Sequence, residues 1–442
     1  MPFTSSLFIA FIAVFLSLFW LIELRSRRAA LLFTAFASLA FVAINFPLFA
    51  LIPVVQAILI LLFQTSARTR SMLAITIVLL LLPLFIFKYY DFLMHYFGLQ
   101  ALHLSLPLGI SFYTFTAIGF VVDQYQRKYV ITKPRFLDNL NLLTFWPHLA
   151  SGPILRGNDF FFGKDDGQLR HRDITTALVL IIFGLYKKIV IADGVGGLIN
   201  QNLETGISFM GPVAAWSTIV GFSVQIYGDF SGYSDMAIGF AILMGIFIPA
   251  NFNYPYAATS LTEFWRRWHI SLSSWFRDYV YIPLGGSKHG IVLGSALLMV
   301  VFTLSGLWHG AALHFVIWGS IHGAILIVER FGRQLGIRLP PAMGWLLTFI
   351  SVALAWCFFF LDRYDAVELI NEGLTPGGFE GYNTVAIWVY LCLLIFDFLV
   401  RPYRVNKGVI KATSAGIWLS PVVLSICFYF AGKPLPFIYF DF

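Results

Sequence analysis

Charge is scarce in this chain. Only 12% of its 442 residues are Asp, Glu, Lys or Arg, against about 25% in a soluble globular domain. That deficit excludes an ordinary soluble fold. Cysteine is nearly absent: Cys357, Cys392 and Cys427 all lie in apolar C-terminal segments with no C-x-x-C spacing, which excludes a disulfide framework and a zinc site and reads as buried, inert thiols. No serine is flanked as G-x-S-x-G and no H-E-x-x-H occurs, so neither a serine nucleophile elbow nor a zincin-type metal site is indicated. No insertion is long enough to fold by itself: 157 to 173, 202 to 212 and 362 to 383 are the only soluble-looking stretches.

What is present is apolar. Hydrophobic residues make up 59% of the chain, with 47 Phe, 19 Tyr and 12 Trp, and the mean hydropathy is +0.81. Such a surface faces lipid rather than hiding in one core. The expected fold class is an all-α polytopic membrane protein of about eleven transmembrane helices, with re-entrant and interfacial helices, organised as one domain over 1–442. The candidate spans centre near 7 to 24, 29 to 45, 47 to 63, 71 to 93, 107 to 122, 174 to 192, 213 to 227, 290 to 305, 309 to 328, 343 to 361, 384 to 400 and 414 to 431. One or two of them are expected to be re-entrant. Glycines 228, 232, 239 and 245 interrupt 229 to 248, which reads as irregular backbone needing burial in protein.

The net charge of +7 is spread in short Lys/Arg clusters between apolar runs, a topology signal rather than a nucleic-acid surface. Arg25, Arg27 and Arg28 follow the first apolar run, so the N-terminus is expected outside and is not a cleaved signal peptide. Arg68, Arg70, Arg127, Lys128, Lys133 and Arg135 then fall in the cytoplasm. No repeat or inverted duplication is found, which weakens a repeat-built transporter.

Three polar constellations interrupt the apolar pattern. Ser260-Leu-Thr-Glu263 has capping-box spacing, so a helix is expected from Leu261. Trp265, Trp268, Leu272, Trp275 and Tyr279 recur at three and four, which describes a helix in the headgroup interface with its aromatic face toward acyl chains and its arginines toward phosphates. His269 sits beside that stripe, where a lone histidine is more often structural than catalytic. The second constellation, Thr303-Leu-Ser-Gly-Leu-Trp-His-Gly310, precedes an apolar helix. An ionisable residue at membrane depth is a functional candidate by default. Gly306 and Gly310 flank His309, and a helix N-terminus there would keep its imidazole neutral and ready as a base. His314 and His322 are about 12 Å apart along their helix and read as packing residues. Third, Asp229 and Asp235 stand in Gln225-Ile-Tyr-Gly-Asp-Phe-Ser-Gly-Tyr-Ser-Asp235, where capping of broken helices or a polar network is the expected role. Pro147-His-Leu-Ala-Ser-Gly-Pro153 with Arg156 reads as a turn or lumen-lining segment.

The motifs Pro107-Leu-Gly-Ile-Ser-Phe-Tyr-Thr-Phe115, Phe145-Trp-Pro-His-Leu-Ala-Ser-Gly-Pro-Ile-Leu-Arg156, Gly228-Asp-Phe-Ser-Gly-Tyr-Ser-Asp-Met-Ala-Ile-Gly239, Thr262-Glu-Phe-Trp-Arg-Arg-Trp-His-Ile-Ser-Leu-Ser-Ser-Trp-Phe-Arg-Asp-Tyr279 and Leu307-Trp-His-Gly310 together resemble the membrane-bound O-acyltransferase family. The resemblance covers about 105–330 and the closing Pro436-Phe-Ile-Tyr-Phe440. Within the family, Tyr281-Ile-Pro-Leu-Gly-Gly-Ser-Lys288 looks like the alginate O-acetyltransferase membrane subunit. The resemblance implies helices around a central tunnel, in the bacterial inner membrane. It implies an acetyl group taken from a cytoplasmic thioester, acetyl-CoA or an acyl carrier, and passed toward an extracytoplasmic polysaccharide such as alginate. It implies no permanently bound cofactor or metal, no nucleic acid, and a separate periplasmic acetyltransferase partner. The family's active-site histidine falls on His309 and its second histidine motif on His269. Trp268, Trp308, Gly310 and Asp229 are the candidate substrate-contacting residues. A general base of this kind contributes about 10²–10⁴-fold, and the oxyanion donor is expected from backbone N–H groups near Gly310 or from the His269 ring. The rivals are D-alanyl transfer to teichoic acid and a transporter that performs no chemistry.

Overall fold

The computed structural model describes residues 6–43, 46–128, 131, 133–149, 151–161, 173–288, 290–375, 384–406, 409–430, 435 and 438. The closing motif at 436–440 and parts of the insertions at 157 to 173 and 362 to 383 therefore lie largely outside the described residues. Helices dominate. Among the described residues the strands are β1 (Tyr403–Asn406) and β2 (Val409–Ala412), an antiparallel pair with Tyr403 opposite Ala412.

Among the described residues six helices are long and apolar enough to cross a membrane: Pro47–Thr65, Arg70–Tyr96, Ile174–Glu204, Gly290–His309, Leu313–Gln334 and Pro341–Phe360. Shorter apolar helices cover Ala10–Glu23, Thr384–Val400 and Ser414–Phe430. This is the all-α polytopic architecture expected, with fewer long spans than about eleven. Part of the difference is the 33-residue helix Gly211–Leu243. It is continuous through Gly228, Gly232 and Gly239, and most of it is buried, but it ends at Leu243, so the stretch expected to be irregular is irregular only from Met244, where Gly245 turns at φ 66°.

Its glycines pack instead of breaking it. A Cβ on Gly232 would stand 2.8 Å from the Gly184 carbonyl oxygen, and one on Gly184 would stand 2.7 Å from that of Gly232. Two backbones therefore touch where only hydrogen fits, the close approach that small residues permit between apolar helices.

The chain separates into two compact units, Met1–Ala177 with Ala237–Pro249 and Leu178–Met236 with Ala250–Phe442. In the first, Ser26 and Thr69 cap the helices Arg27–Val42 and Arg70–Leu84 by accepting the Ala29 and Met72 N–H groups. Phe8, Phe15 and Phe240 surround the buried Trp146. Trp146 immediately precedes the turn expected at 147–153, in which His148 is fully buried.

In the second unit the helices Gly290–His309 and Leu313–Gln334 form the tightest pair. A Cβ on Gly306 would lie 2.1 Å from the Phe315 carbonyl oxygen, and one on Gly319 would lie 2.2 Å from that of Phe302. Gly306→Ala is accordingly expected to lower stability by about 1–3 kcal/mol, because a backbone carbonyl cannot swing aside as a side-chain end can. Thermal unfolding in detergent checks it, and an unchanged midpoint would show that the helix pair is looser than its geometry.

The segment from Ser260 is two short helices, Leu261–Arg267 and Ile270–Phe276, followed by a wide turn of helix over Arg277–Tyr281. Ser260 Oγ accepts the Glu263 N–H at 3.1 Å, the expected first half of a capping box. Glu263 takes the Thr259 N–H at 2.8 Å and pairs with Arg267 at 2.6 Å. Glu329, from the helix Leu313–Gln334, accepts the Leu261 and Thr262 N–H groups, so a tertiary carboxylate completes this helix start.

The interfacial reading of the aromatic stripe is overturned. Trp265, Trp268, Leu272 and Trp275 are buried, with Trp265 edge-on to Trp318 and Trp268 packed on Trp356 and Phe264. The chain breaks at His269: Trp265 and Trp268 of the first half turn to protein helices, and in the second half Leu272 and Trp275 are buried while Tyr279 is half-buried. The thiols divide likewise: Cys357 and Cys427 are buried as expected, whereas Cys392 is exposed on the helix Thr384–Val400.

Candidate active site

His269 occupies the break between the two short helices with φ 41° and ψ 55°. A side chain other than glycine seldom holds this left-handed conformation, which costs about 1–3 kcal/mol unless its surroundings impose it. Here they do. Asn251 Oδ1 accepts the Ser271 N–H at 3.2 Å and the Ser271 hydroxyl at 2.8 Å, and it stands 3.2 Å from His269 Nδ1. The Ile270 N–H binds the Asn251 carbonyl at 2.9 Å, and the Asn251 amide donates to Ser234 Oγ at 3.3 Å.

This network assigns the tautomer. A backbone N–H can only donate, so the Asn251 amide must turn its oxygen toward Ser271, and His269 Nδ1 facing the same oxygen must carry the proton. Nε2 then holds the lone pair, and it has no hydrogen-bond partner in the structure. A ring in this state accepts a proton and does not donate one. In this tautomer His269 offers no N–H at Nε2.

His269 is fully buried, and burial pushes its imidazole pKa down to about 3. The unfolded chain takes up a proton near pH 6.5, whereas the folded chain does so only near 3. Stability supplied by the neutral ring is therefore complete above about pH 6.5 and falls as pH drops through the window between those values, by up to about 1.4 kcal/mol per unit. Comparing thermal unfolding at pH 7 and pH 5, wild type is expected to lose about 2 kcal/mol more than His269→Gln. Equal losses would mean that the ring is protonated in the folded state.

His309 is 4% exposed and closes the helix Gly290–His309. The expectation of a helix N-terminus is corrected: the following helix starts only at Leu313, and His309 is the last residue of the helix before it. Its ring lies edge-on to Trp318 and Phe359, each at 5.1 Å between centroids, and 4.9 Å from Trp308. The glycines beside it serve packing. A Cβ on Gly310 would lie 2.0 Å from the Phe315 ring.

Although 40 positions separate them in sequence, the His269 and His309 rings are 6.4 Å apart, and His269 is 6.0 Å from Trp308. Phe230 presses edge-on against His269 at 4.7 Å. Two imidazoles face one another in a wall of aromatic rings. Trp268 lies behind them against Trp356, and His322 is fully buried between Trp265 and Trp318, as its packing role requires.

The sequence carries the same signature. The family described as MBOAT, membrane-bound O-acyltransferase, matches residues 72–363. The chain is 31% identical to the peptidoglycan O-acetyltransferase of Helicobacter pylori, over 86% of this chain and 84% of that protein. It is 36% identical to the protein named probable alginate O-acetylase AlgI of Pseudomonas aeruginosa, over 86% of this chain and 75% of that one. The teichoic acid D-alanyltransferase of Bacillus subtilis is 27% identical over 67% of this chain. The chain belongs to the membrane-bound O-acyltransferase family. It is an O-acyltransferase and a multi-pass membrane protein.

This acyltransferase also carries ionic contacts that sequence reading half anticipated. Asp235 pairs with the fully buried Lys187 at 2.5 Å and accepts the Tyr403 hydroxyl at 2.8 Å. Asp229 pairs with Lys188 at 2.7 Å and accepts the Ile438 N–H at 2.7 Å, and Lys188 also reaches Asp193 at 2.8 Å. The carboxylates form a polar network, as expected. Asp229, a candidate substrate contact, is occupied by these partners, and it is the next residue, Phe230, that touches His269. Lys187, Lys188 and Asn251 were missed. Two lysines inside an apolar run of the length seen at 174–204 were a readable signal of buried partners, whereas nothing marked Asn251.

Proposed function

We propose that the chain passes an acetyl group from a cytoplasmic thioester donor, acetyl-CoA, to a hydroxyl acceptor on the far side of the membrane, for O-acetylation of an extracytoplasmic polysaccharide such as alginate. The observation that carries this reading is the buried pair of histidines, one held as a neutral base by Asn251. The acceptor oxygen attacks the thioester carbonyl, the C–O bond forms and the C–S bond breaks. The hydroxyl proton passes to His309 and then to the leaving sulfur, which departs as the free thiol. His269, with its open Nε2, holds or relays that proton, and backbone N–H groups near Gly310 face the developing oxyanion. Trp308 and Trp318 exclude water, which protects the thioester from hydrolysis. A periplasmic acetyltransferase receives or delivers the group, and the bacterial inner membrane is the site of action.

The test follows radiolabel from acetyl-CoA, and in parallel from a D-alanyl carrier, through purified protein in liposomes with the partner supplied. Acetyl label reaching polysaccharide or partner supports the reading. Label moving only from the D-alanyl carrier, or polymer moving without either label, overturns it.

A further inference from the structure

Residues of the helices Gly211–Leu243, Pro341–Phe360 and Thr384–Val400 line an apolar cleft of about 720 Å³, among them Phe349, Leu391, Leu394 and Phe398. Of its lining residues Trp345, Ile395 and Leu399 are exposed, so it opens on apolar flanks that suit a bilayer. One acidic group lines it. Asp397, in the last turn of its helix, is 1% exposed, and its Oδ1 has no hydrogen-bond partner among the described residues. Lys187, a cation whose field reaches Asp397, is committed to Asp235 at 2.5 Å and to the Tyr403 hydroxyl at 3.2 Å. A carboxylate left this way in an apolar helix is a functional candidate.

Arg401 stands four residues on. Opposite charges at this spacing ordinarily meet on a helix face, yet these two form no ion pair: Arg401 leaves the helix through left-handed backbone at φ 45°, and its guanidinium rests over the Phe398 ring at 5.1 Å. With Arg404 and Arg267 it lines a neighbouring cavity of about 630 Å³ that no carboxylate lines among the described residues. Arg267 is taken by Glu263 at 2.6 Å, whereas Arg401 and Arg404 have no ion-pair partner among the described residues. The two hollows share Tyr254, Ala257 and Phe398, and the buried Tyr254 hydroxyl has no hydrogen-bond partner among the described residues. An apolar slot, an unpaired carboxylate and two unpaired guanidiniums therefore adjoin. A phospholipid with a primary ammonium answers all three, offering an acyl chain, N–H donors for Asp397 and a phosphate for the guanidinium forks. Phosphatidylcholine has no N–H to give a carboxylate, and phosphatidylglycerol has no cation.

We propose that the junction of the two hollows, with Asp397, Arg401, Arg404 and Tyr254, is a binding site for phosphatidylethanolamine, with an acyl chain lying in the apolar cleft. A lipid held there ties β1, through Arg404, to the helix Thr384–Val400, through Asp397 and Arg401, and takes no part in acetyl transfer.

Wild type, Asp397→Asn, Arg401→Gln/Arg404→Gln and the exposed control Arg266→Gln are delipidated in detergent. Native mass spectrometry then gives the Kd of each for phosphatidylethanolamine, phosphatidylcholine and phosphatidylglycerol of identical chains. Wild type and the control are expected to bind phosphatidylethanolamine about tenfold or more tightly than phosphatidylcholine. Asp397→Asn is expected to lose that preference, and the double arginine variant to weaken all three lipids about 30-fold. Because a ligand that binds only the folded state stabilises it, phosphatidylethanolamine should also raise the unfolding midpoint of wild type more than that of either variant, and the midpoints without lipid show that each variant is folded. Glycerophosphoethanolamine, the same headgroup without chains, tests the cleft and should bind at least about 100-fold more weakly. Equal affinity of wild type for phosphatidylethanolamine and phosphatidylcholine, or a preference that survives Asp397→Asn, takes Asp397 out of the site and overturns the assignment. Lipid bound as tightly by the double variant, or the bare headgroup bound as tightly as the lipid, overturns it as well.

Discussion

Replacing His309 by alanine is expected to lower acetyl transfer by about 10²–10⁴-fold, the contribution of a positioned general base. The acceptor hydroxyl is a poor nucleophile until its proton has somewhere to go. His309 is 4% exposed and enclosed by Trp308, Trp318 and Phe359, so bulk water cannot substitute for it. His309→Gln keeps volume and polarity but cannot accept the proton, and it should fall with the alanine variant. The measurement is the initial rate of label transfer in liposomes, with thermal unfolding run alongside to confirm that both variants are folded. Equal rates for wild type and His309→Ala would remove His309 from the chemistry and pass the role to His269. Loss in His269→Ala and in His309→Ala that does not add in the double variant is expected of residues acting as one unit.

Lys187→Met is expected to cost about 3–5 kcal/mol of stability. The substitution leaves Asp235 in a fully buried position with the Tyr403 hydroxyl in place of a cation. Breaking such a pair is dear because an uncompensated charge remains, whereas removing both charges is nearly neutral. The double substitution Lys187→Met/Asp235→Asn is therefore expected to recover most of the loss. Unfolding midpoints of the four proteins in detergent close the cycle, and a single variant as stable as wild type would show that Asp235 is neutral without its lysine. Because Asp235 follows Ser234, which receives the Asn251 amide, the failing variant should also release His269.

Much of the site was legible before the fold. His309 stood out because an imidazole in an apolar run is costly unless used, and the structure encloses it in aromatic rings. His269 was ambiguous, since the same letter in the same pattern serves packing or chemistry. Its left-handed backbone and the three groups meeting at Asn251 Oδ1 are visible only when residues 18 positions apart in sequence are brought together. The helix end at His309 was misjudged for a similar reason. Gly306 and Gly310 look like the edge of a helix, but Gly306 lies inside one, where it meets the Phe315 carbonyl oxygen.

By itself the sequence determined that this protein lives in a membrane, that its helices are apolar along their length, and that few ionisable groups lie within them. Composition settles these matters because the transfer of charge into hydrocarbon is costly whatever the fold. Only the tertiary structure decided which apolar faces meet lipid and which meet protein. The Trp265 to Trp275 stripe reads the same against acyl chains or against Trp318 and Trp356, for both are equally apolar. It also decided which buried charges pair, Lys187 with Asp235 and Lys188 with Asp229, since pairing depends on distances across helices that no periodicity records.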